Sequence, residues 1–220
     1  MNPVPDTAHP APVVLDPARL IDISMDLDAN TVVWTEDPAP ELRPVLRRPE
    51  DPCNFTWLSF GAHAGTHIDA PWYLYSDLAT ADRVPLDRLV GPAQVLDLTD
   101  VTDTITVTDL EPHPIRAPRV LLKTRNSFDP MLTYNPAHIA LSIEAAAYLL
   151  DQGVSTLGYD YQSFERAGAN LLHDLFLSRS ITLIDNLRLK DAPAGLYTLI
   201  CLPVKLIGID AAPARAVLLP

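Results

Sequence analysis

Residues 141–160 read LSIEAAAYLLDQGVSTLGYD, and this stretch decides the fold class. Ser142 offers a hydroxyl to cap a helix, the residues after it are strong helix formers, and Gly153 supplies a stop. STLGYD then turns to an apolar, strand-like run. A capped helix leading straight into a strand is the repeating unit of an α/β protein. Towards the C-terminus, NLLHDLFLSR (170–179) sets Leu171, Leu172, Leu175 and Phe176 at helical spacing. ITLIDNLRL (181–189) returns to strand, and YTLICLPVKLIGID (197–210) reads as a strand that bends at Pro203. Towards the N-terminus, RVLLKTRNSFD (119–129), TITVTDLEP (104–112) and AQVLDLTD (93–100) each predict a strand, the second with a turn. LATADRVPLDRLVGP (78–92) predicts a short helix or loop. RLIDISMDL (19–27) alternates as a strand does, TVVWTEDPAPELRPVL (31–46) is extended and bent by prolines, and NFTWLSFGAHAG (54–65) is a strand that delivers His63 near its end.

The expectation is one β-rich α/β domain over residues 18–220, preceded by an arm. The first 17 residues, MNPVPDTAHPAPVVLDP, carry five prolines and no apolar period. Across the chain 22 of 220 residues are proline, about twice ordinary usage, which favours short elements joined by rigid turns over long helices. With 48% hydrophobic and 20% charged residues the composition is that of a folded globular protein.

A formal net charge of -12, with no cluster of lysine or arginine, repels phosphate backbones and anionic lipid, so nucleic acid and membrane are excluded as expected partners. The longest apolar run, near the C-terminus, is broken by Pro203 and Lys205. No basic and apolar leader opens the sequence, which predicts a cytoplasmic protein. Cys53 and Cys201 are far apart and form no CxxC, so neither a disulfide framework nor a thiolate metal site is indicated.

Chemistry concentrates in HAGTHIDAP, residues 63–71. Gly65 and Thr66 disfavour a helix there, whereas in an extended chain positions 63, 67 and 69 share parity and project to one face. Two imidazoles and a carboxylate then converge as ligands for zinc, manganese or iron(II), with open positions for water and substrate. A polar turn whose histidines bond to nearby backbone is the plainer alternative. Gly65 lets the backbone approach closely, and Thr66 offers a supporting hydrogen bond.

His173 and Asp185 are candidates to complete the site, since an acid ending an apolar strand needs a cation or hydrogen bonds to offset its burial. Asp160 also ends a strand, where it either orients a ligand or, more simply, caps the segment that follows. His113 and His138 lie beside prolines with no chemistry nearby. Trp34, Trp72 and Phe128 are candidate walls of an apolar pocket for a flat small-molecule substrate.

HAGTHIDAP resembles the HxGTHxDxPxH signature of the cyclase and kynurenine formamidase (arylformamidase) family of metal-dependent hydrolases. LIDIS, VGPAQVLDL, RVLLKT, LGYD, HDLFL, LIDNL and LPVKLIGIDAAPARAV follow in the family's order, so nearly all of residues 19–217 is covered. The resemblance implies a swivelling β/β/α fold, a homo-oligomer, and zinc or manganese on His63, His67 and Asp69. His173 and Asp185 then stand where the family has a histidine and a glutamate.

Two positions depart from the pattern. The motif's last histidine is Tyr73, and the glutamate is Asp185, one methylene shorter. A phenol is a poor base at neutral pH but a good hydrogen-bond donor. These departures point to one divalent ion instead of two, with Tyr73 at the oxyanion, His173 moving a proton and Asp185 orienting. The expected activity is metal-dependent amide or lactone hydrolysis, or ring closure. A degenerate member that binds a ligand without turning it over is the alternative.

Overall fold

The computed structural model describes residues 16–34, 36–166 and 170–220. Apart from Asp16 and Pro17, the proline-rich arm and its His9 lie outside the described residues. Among the described residues twelve strands run in chain order: β1 (Ile21–Asp22), β2 (Glu41–Leu46), β3 (Phe55–Ser59), β4 (His67–Asp69), β5 (Val90–Asp97), β6 (Thr104–Ile105), β7 (Arg119–Lys123), β8 (Ala140–Leu141), β9 (Thr156–Tyr159), β10 (Thr182–Asp185), β11 (Gly195–Pro203) and β12 (Ala211–Leu219). The α-helices are short: α1 (Leu86–Leu89), α2 (Val107–Leu110), α3 (Ile143–Asp151) and α4 (Leu171–Leu177). None of the described helices is long and apolar enough to cross a membrane.

Eight strands form one sheet in the order β1-β12-β11-β5-β7-β9-β10-β4. The sheet closes because β12 uses one edge twice: Ala211–Pro213 pair with β4, and Val217 and Leu218 pair with β1. Seven strands thereby form a barrel-like ring with β1 as an appendage. Strands β5, β7, β9 and β10 are mutually parallel, joined by crossovers that include α3 and α4, whereas β4, β11 and β12 enter antiparallel. The sheet-dominated α/β class expected from the sequence is what the chain adopts.

Helix α3 starts where the sequence places it: the Ser142 hydroxyl accepts from Ala145 N–H at 3.1 Å, and Gly153 takes φ +79° just after the helix. TITVTDLEP differs from its prediction, since only Thr104–Ile105 is strand and Val107–Leu110 forms α2. There Thr106 and Asp109 make a reciprocal capping box, a local alternative to sheet pairing.

Alternation along the parallel strands divides the core in two. Val120, Leu122, Leu157 and Leu183 face outward to α3 and α4, packing on Ala145, Leu149, Leu172 and Phe176. Leu121, Ile184, Ile68, Ala93, Leu199 and Ala212 face the barrel interior. Small residues are needed inside. A Cβ on Gly158 would sit 2.4 Å from Leu121 Cδ2 and 2.6 Å from Leu187 Cδ1, both on buried side chains. Gly158→Ala is therefore expected to destabilise the protein by about 2 kcal/mol through overpacking, read as a lowered urea midpoint at unchanged m. An unchanged midpoint would mean that the interior is looser than this packing.

Candidate metal centre

The register of β4, β10 and β12 builds the site. His67 and Asp69 share the face of β4 opposite the interior residue Ile68. Asp185 pairs directly with His67 across the β4–β10 ladder, so their side chains rise on the same side. Helix α4 packs against β10 and brings His173 over this face. His63 arrives differently from its prediction. Residues 62–66 form a turn with Gly65 at φ +67°, so His63 reaches the cluster by a reversal of the chain and not by strand parity.

The turn is fastened from outside. Thr66 Oγ1 donates to the Asn186 carbonyl at 2.6 Å and accepts from Met25 N–H at 2.7 Å. Asn186 Nδ2 donates to the Gly65 carbonyl at 3.0 Å. Asn186 itself sits at φ 58°, a conformation asparagine tolerates better than most residues.

His63 Nδ1 lies 3.2 Å from His67 Nε2 and 3.0 Å from Asp69 Oδ1, and His67 Nε2 lies 3.3 Å from that same oxygen. His173 Nε2 is 3.7 Å from Asp69 Oδ2 and 4.0 Å from Asp185 Oδ2. Two donor sets result, His63/His67/Asp69 and Asp69/His173/Asp185, with Asp69 common to both. The shorter side chain of Asp185 thus does reach the cluster, because β4–β10 pairing already sets it beside His67.

These residues fit a cation. Asp69 Oδ1, Asp185 Oδ1 and His173 Nδ1 are buried without a hydrogen-bond partner, which costs on the order of 1–3 kcal/mol each unless something compensates. Imidazole and carboxylate together suit zinc, manganese or iron(II).

Electrostatics agree. Burial, reinforced by the charge of Asp69, holds the Asp185 carboxyl well above its ordinary pKa. Burial opposes ionisation of Asp69 too, but its contacts with His63 and His67 win and keep it below the usual carboxylate range. Burial alone would depress His63, yet its hydrogen bond to Asp210 and the adjacent Asp69 carboxylate raise it to about 10. Two acids and three imidazoles this close, most of them buried, form the environment that a divalent ion stabilises.

The cluster forms one wall of a cavity of about 700 Å3, a size that suits a small organic ligand. Tyr73 also lines it, its ring 4.9 Å from that of His63 and 5.9 Å from that of His173. Burial, then the charges of Asp69, Asp185 and Asp210, push the phenol pKa up, so it carries its proton at neutral pH. Trp34 lines this cavity, with its ring against Tyr134. Trp72 and Phe128 do not. Trp72 lies at the surface in the turn after β4, and Phe128 lies over Lys123. Adjacency in sequence misled for Trp72, since neighbours in a tight turn point in different directions.

Asp160 accepts from the backbone and hydroxyls of Thr124 and Ser127 at 2.7–3.0 Å, so it organises the loop after β7 and does not cap the segment that follows it. His138 is buried and stacked on Tyr161. Sequence reading passed over Glu165 and Asp210. Glu165 accepts from Leu171 and His173 N–H at the start of α4, and its Oε1 lies 3.4 Å from His173 Nδ1. Asp210 accepts from His63 Nε2 at 2.8 Å. Asp210 is remote in sequence from His63, and Glu165 sits in the loop ahead of α4, so only tertiary pairing reveals what each one holds.

The family model described as "Putative cyclase" matches residues 21–166. A kynurenine formamidase of Salinibacter ruber is 35% identical over 204 residues, which span 90% of this chain and 96% of that protein. One from Erythrobacter litoralis is 32% identical, over 91% of this chain and 93% of that protein. A solved structure described as a potential metal-dependent hydrolase with cyclase activity superposes with a TM-score of 0.79 at 34% identity, covering 90% of this chain and 96% of that one. With a family model matching well over half of the chain and relatives above 30% identity along nearly its whole length, this chain belongs to the cyclase/arylformamidase family of enzymes.

Proposed function

We propose that the protein hydrolyses an amide bond of a small aromatic substrate, with aryl formamides of the N-formylkynurenine type as the first class to test. The observation that carries this reading is the convergence of His63, His67 and Asp69, with unpartnered carboxylate oxygens, on the wall of a ligand-sized cavity. The kynurenine formamidase relatives supply the substrate class.

His63, His67 and Asp69 would hold one divalent ion, zinc or manganese, which supplies Lewis acidity for the carbonyl and a more acidic water. Tyr73 donates a hydrogen bond where negative charge gathers on the carbonyl oxygen. His173 carries the proton from the attacking water to the departing nitrogen as the C–O bond forms and the C–N bond breaks. Asp185, kept protonated beside Asp69, orients His173. Trp34 gives the aromatic ring of the substrate an apolar wall.

The test is incubation of zinc- or manganese-loaded protein with N-formylkynurenine and with simple aryl lactones, following formate or acid release. Turnover of the formamide is expected. Bound ion without turnover of either substrate would sink the hydrolase reading in favour of ring closure or ligand binding alone. Ion stoichiometry by elemental analysis is expected at one per chain; two would reassign His173 and Asp185 from proton transfer to ligation.

The same reading carries a swivelling β/β/α domain over residues 18–220 with a separate N-terminal arm, a cytoplasmic setting and a homo-oligomer. The β2–β3 hairpin supports the last. It forms a two-stranded sheet of its own, and Leu42, Val45, Phe55, Trp57 and Leu58 are all exposed on it. An isolated hairpin is marginal in water, and an apolar surface of this kind is ordinarily covered, here by a second copy of the chain. Light scattering should show an oligomer that Trp57→Asp with Leu58→Asp converts to monomer. A monomeric parent protein would refute this.

A further inference from the structure

Each imidazole of the site has one nitrogen facing the carboxylates and one facing away, and the outer nitrogens meet three different oxygens. His67 Nδ1 donates to the Gly65 carbonyl at 2.9 Å. His173 Nδ1 faces Glu165 Oε1 at 3.4 Å. His63 is turned the other way round: its Nε2 donates to Asp210 Oδ2 at 2.8 Å, and its Nδ1 faces Asp69 and His67. An imidazole ligates through an unprotonated nitrogen, and the partner of the other nitrogen decides which one that is.

We infer that Asp210 is a positioning residue that makes His63 an Nδ1 ligand by holding the ring proton on Nε2. The inference rests on the cation-dependent reading above. Asp210 is placed by the closure of the barrel: its carbonyl accepts from Ala70 N–H at 2.8 Å, and the next residue, Ala211, pairs with Asp69 as β12 begins. The strand that seals the sheet therefore delivers the carboxylate to the outer nitrogen of His63, on the far side of the ring from Asp69. A bond from a ring N–H to a carboxylate at this distance is charge-assisted and directional, so it fixes both ring orientation and proton position. His67 and His173 present Nε2 to the cluster instead, so the site uses both imidazole faces.

The test uses zinc as the probe, with the parent protein, Asp210→Ala and Asp210→Asn. Affinity is read by competition with a chromophoric chelator. The tautomer is read by nitrogen-15 spectra of histidine-labelled, zinc-loaded protein, with His63 identified by its loss in His63→Gln. Asp210→Ala is expected to bind zinc about 10- to 100-fold more weakly and to lose the protected His63 Nε2–H signal. Asp210→Asn, whose amide oxygen accepts the same hydrogen, is expected to fall between, and it carries the test alone if the alanine variant does not fold. Affinity unchanged within about twofold in the folded variants, or a parent spectrum with the proton on His63 Nδ1, overturns the inference while leaving the hydrolase reading intact. Failure of the parent protein to bind zinc or manganese at all overturns both.

Discussion

Asp69→Ala is expected to lower kcat/KM for the formamide by three orders of magnitude or more, about 4 kcal/mol of transition-state free energy, and to leave the purified protein without stoichiometric divalent ion. The reason is that Asp69 is common to both donor sets, with one oxygen towards His63 and His67 and the other towards His173. No other residue of the cluster touches all three imidazoles. The loss should not be a folding defect. Asp69 is a buried acid opposite another buried acid, and its removal relieves the charge that helps keep Asp185 protonated. The metal-free variant should therefore melt close to the metal-free parent, and the parent alone should gain stability on addition of the ion, by the mass action of a ligand that binds only the folded state. An Asp69→Ala protein that kept activity within about tenfold, or that still bound one ion per chain, would show that the centre is built elsewhere.

Local signals carried most of the helix and strand assignments. Ser142 and Gly153 mark both ends of α3, and the apolar runs of β5, β7, β9 and β10 read as buried strands because both faces of those strands are covered, by helices outside and by the barrel core inside. What no local signal contains is the closure. β12 begins AAPAR, which lacks the apolar run of the other strands, yet it pairs with β11 along one edge and with β4 and β1 along the other. Its small side chains are what the narrow interior accepts. The site divides in the same way. The ligand candidates of HAGTHID were legible because one turn and one short strand bring them together. Asp210, 147 residues from His63 in sequence, and Glu165, in a loop before α4, are visible only once β12 and α4 are in place. Of the three candidate aromatics Trp34 lines the cavity and Trp72 and Phe128 do not, since hydrophobicity indicates burial or contact without saying which surface an aromatic ring covers.

Tyr73→Phe separates the two roles open to the residue that replaces the family's histidine. A base at this position would have to lose its proton near neutral pH, but burial and three nearby carboxylates hold the phenol above its ordinary range. The sign is unambiguous: negative neighbours and a desolvated ring both favour the protonated form, so the phenol can donate but not abstract. Removal of the hydroxyl should then lower kcat by about 10^2- to 10^3-fold, the usual cost of one oxyanion donor, with KM changed little because the ground-state carbonyl carries less charge. The pH profile should keep the same limbs in the neutral range, since no group titrating there has been removed. Loss of an acidic limb, the rise of rate with pH that a base must show, together with kcat would assign Tyr73 the base role after all, and unchanged kcat would remove it from the chemistry. Tyr73→His makes the opposite change, placing an imidazole with an ordinary pKa near 6.5 within reach of the charged Asp69 and Asp210. Those charges favour its protonated form, so any gain in hydrolysis from this substitution should appear only as the pH is raised above neutrality.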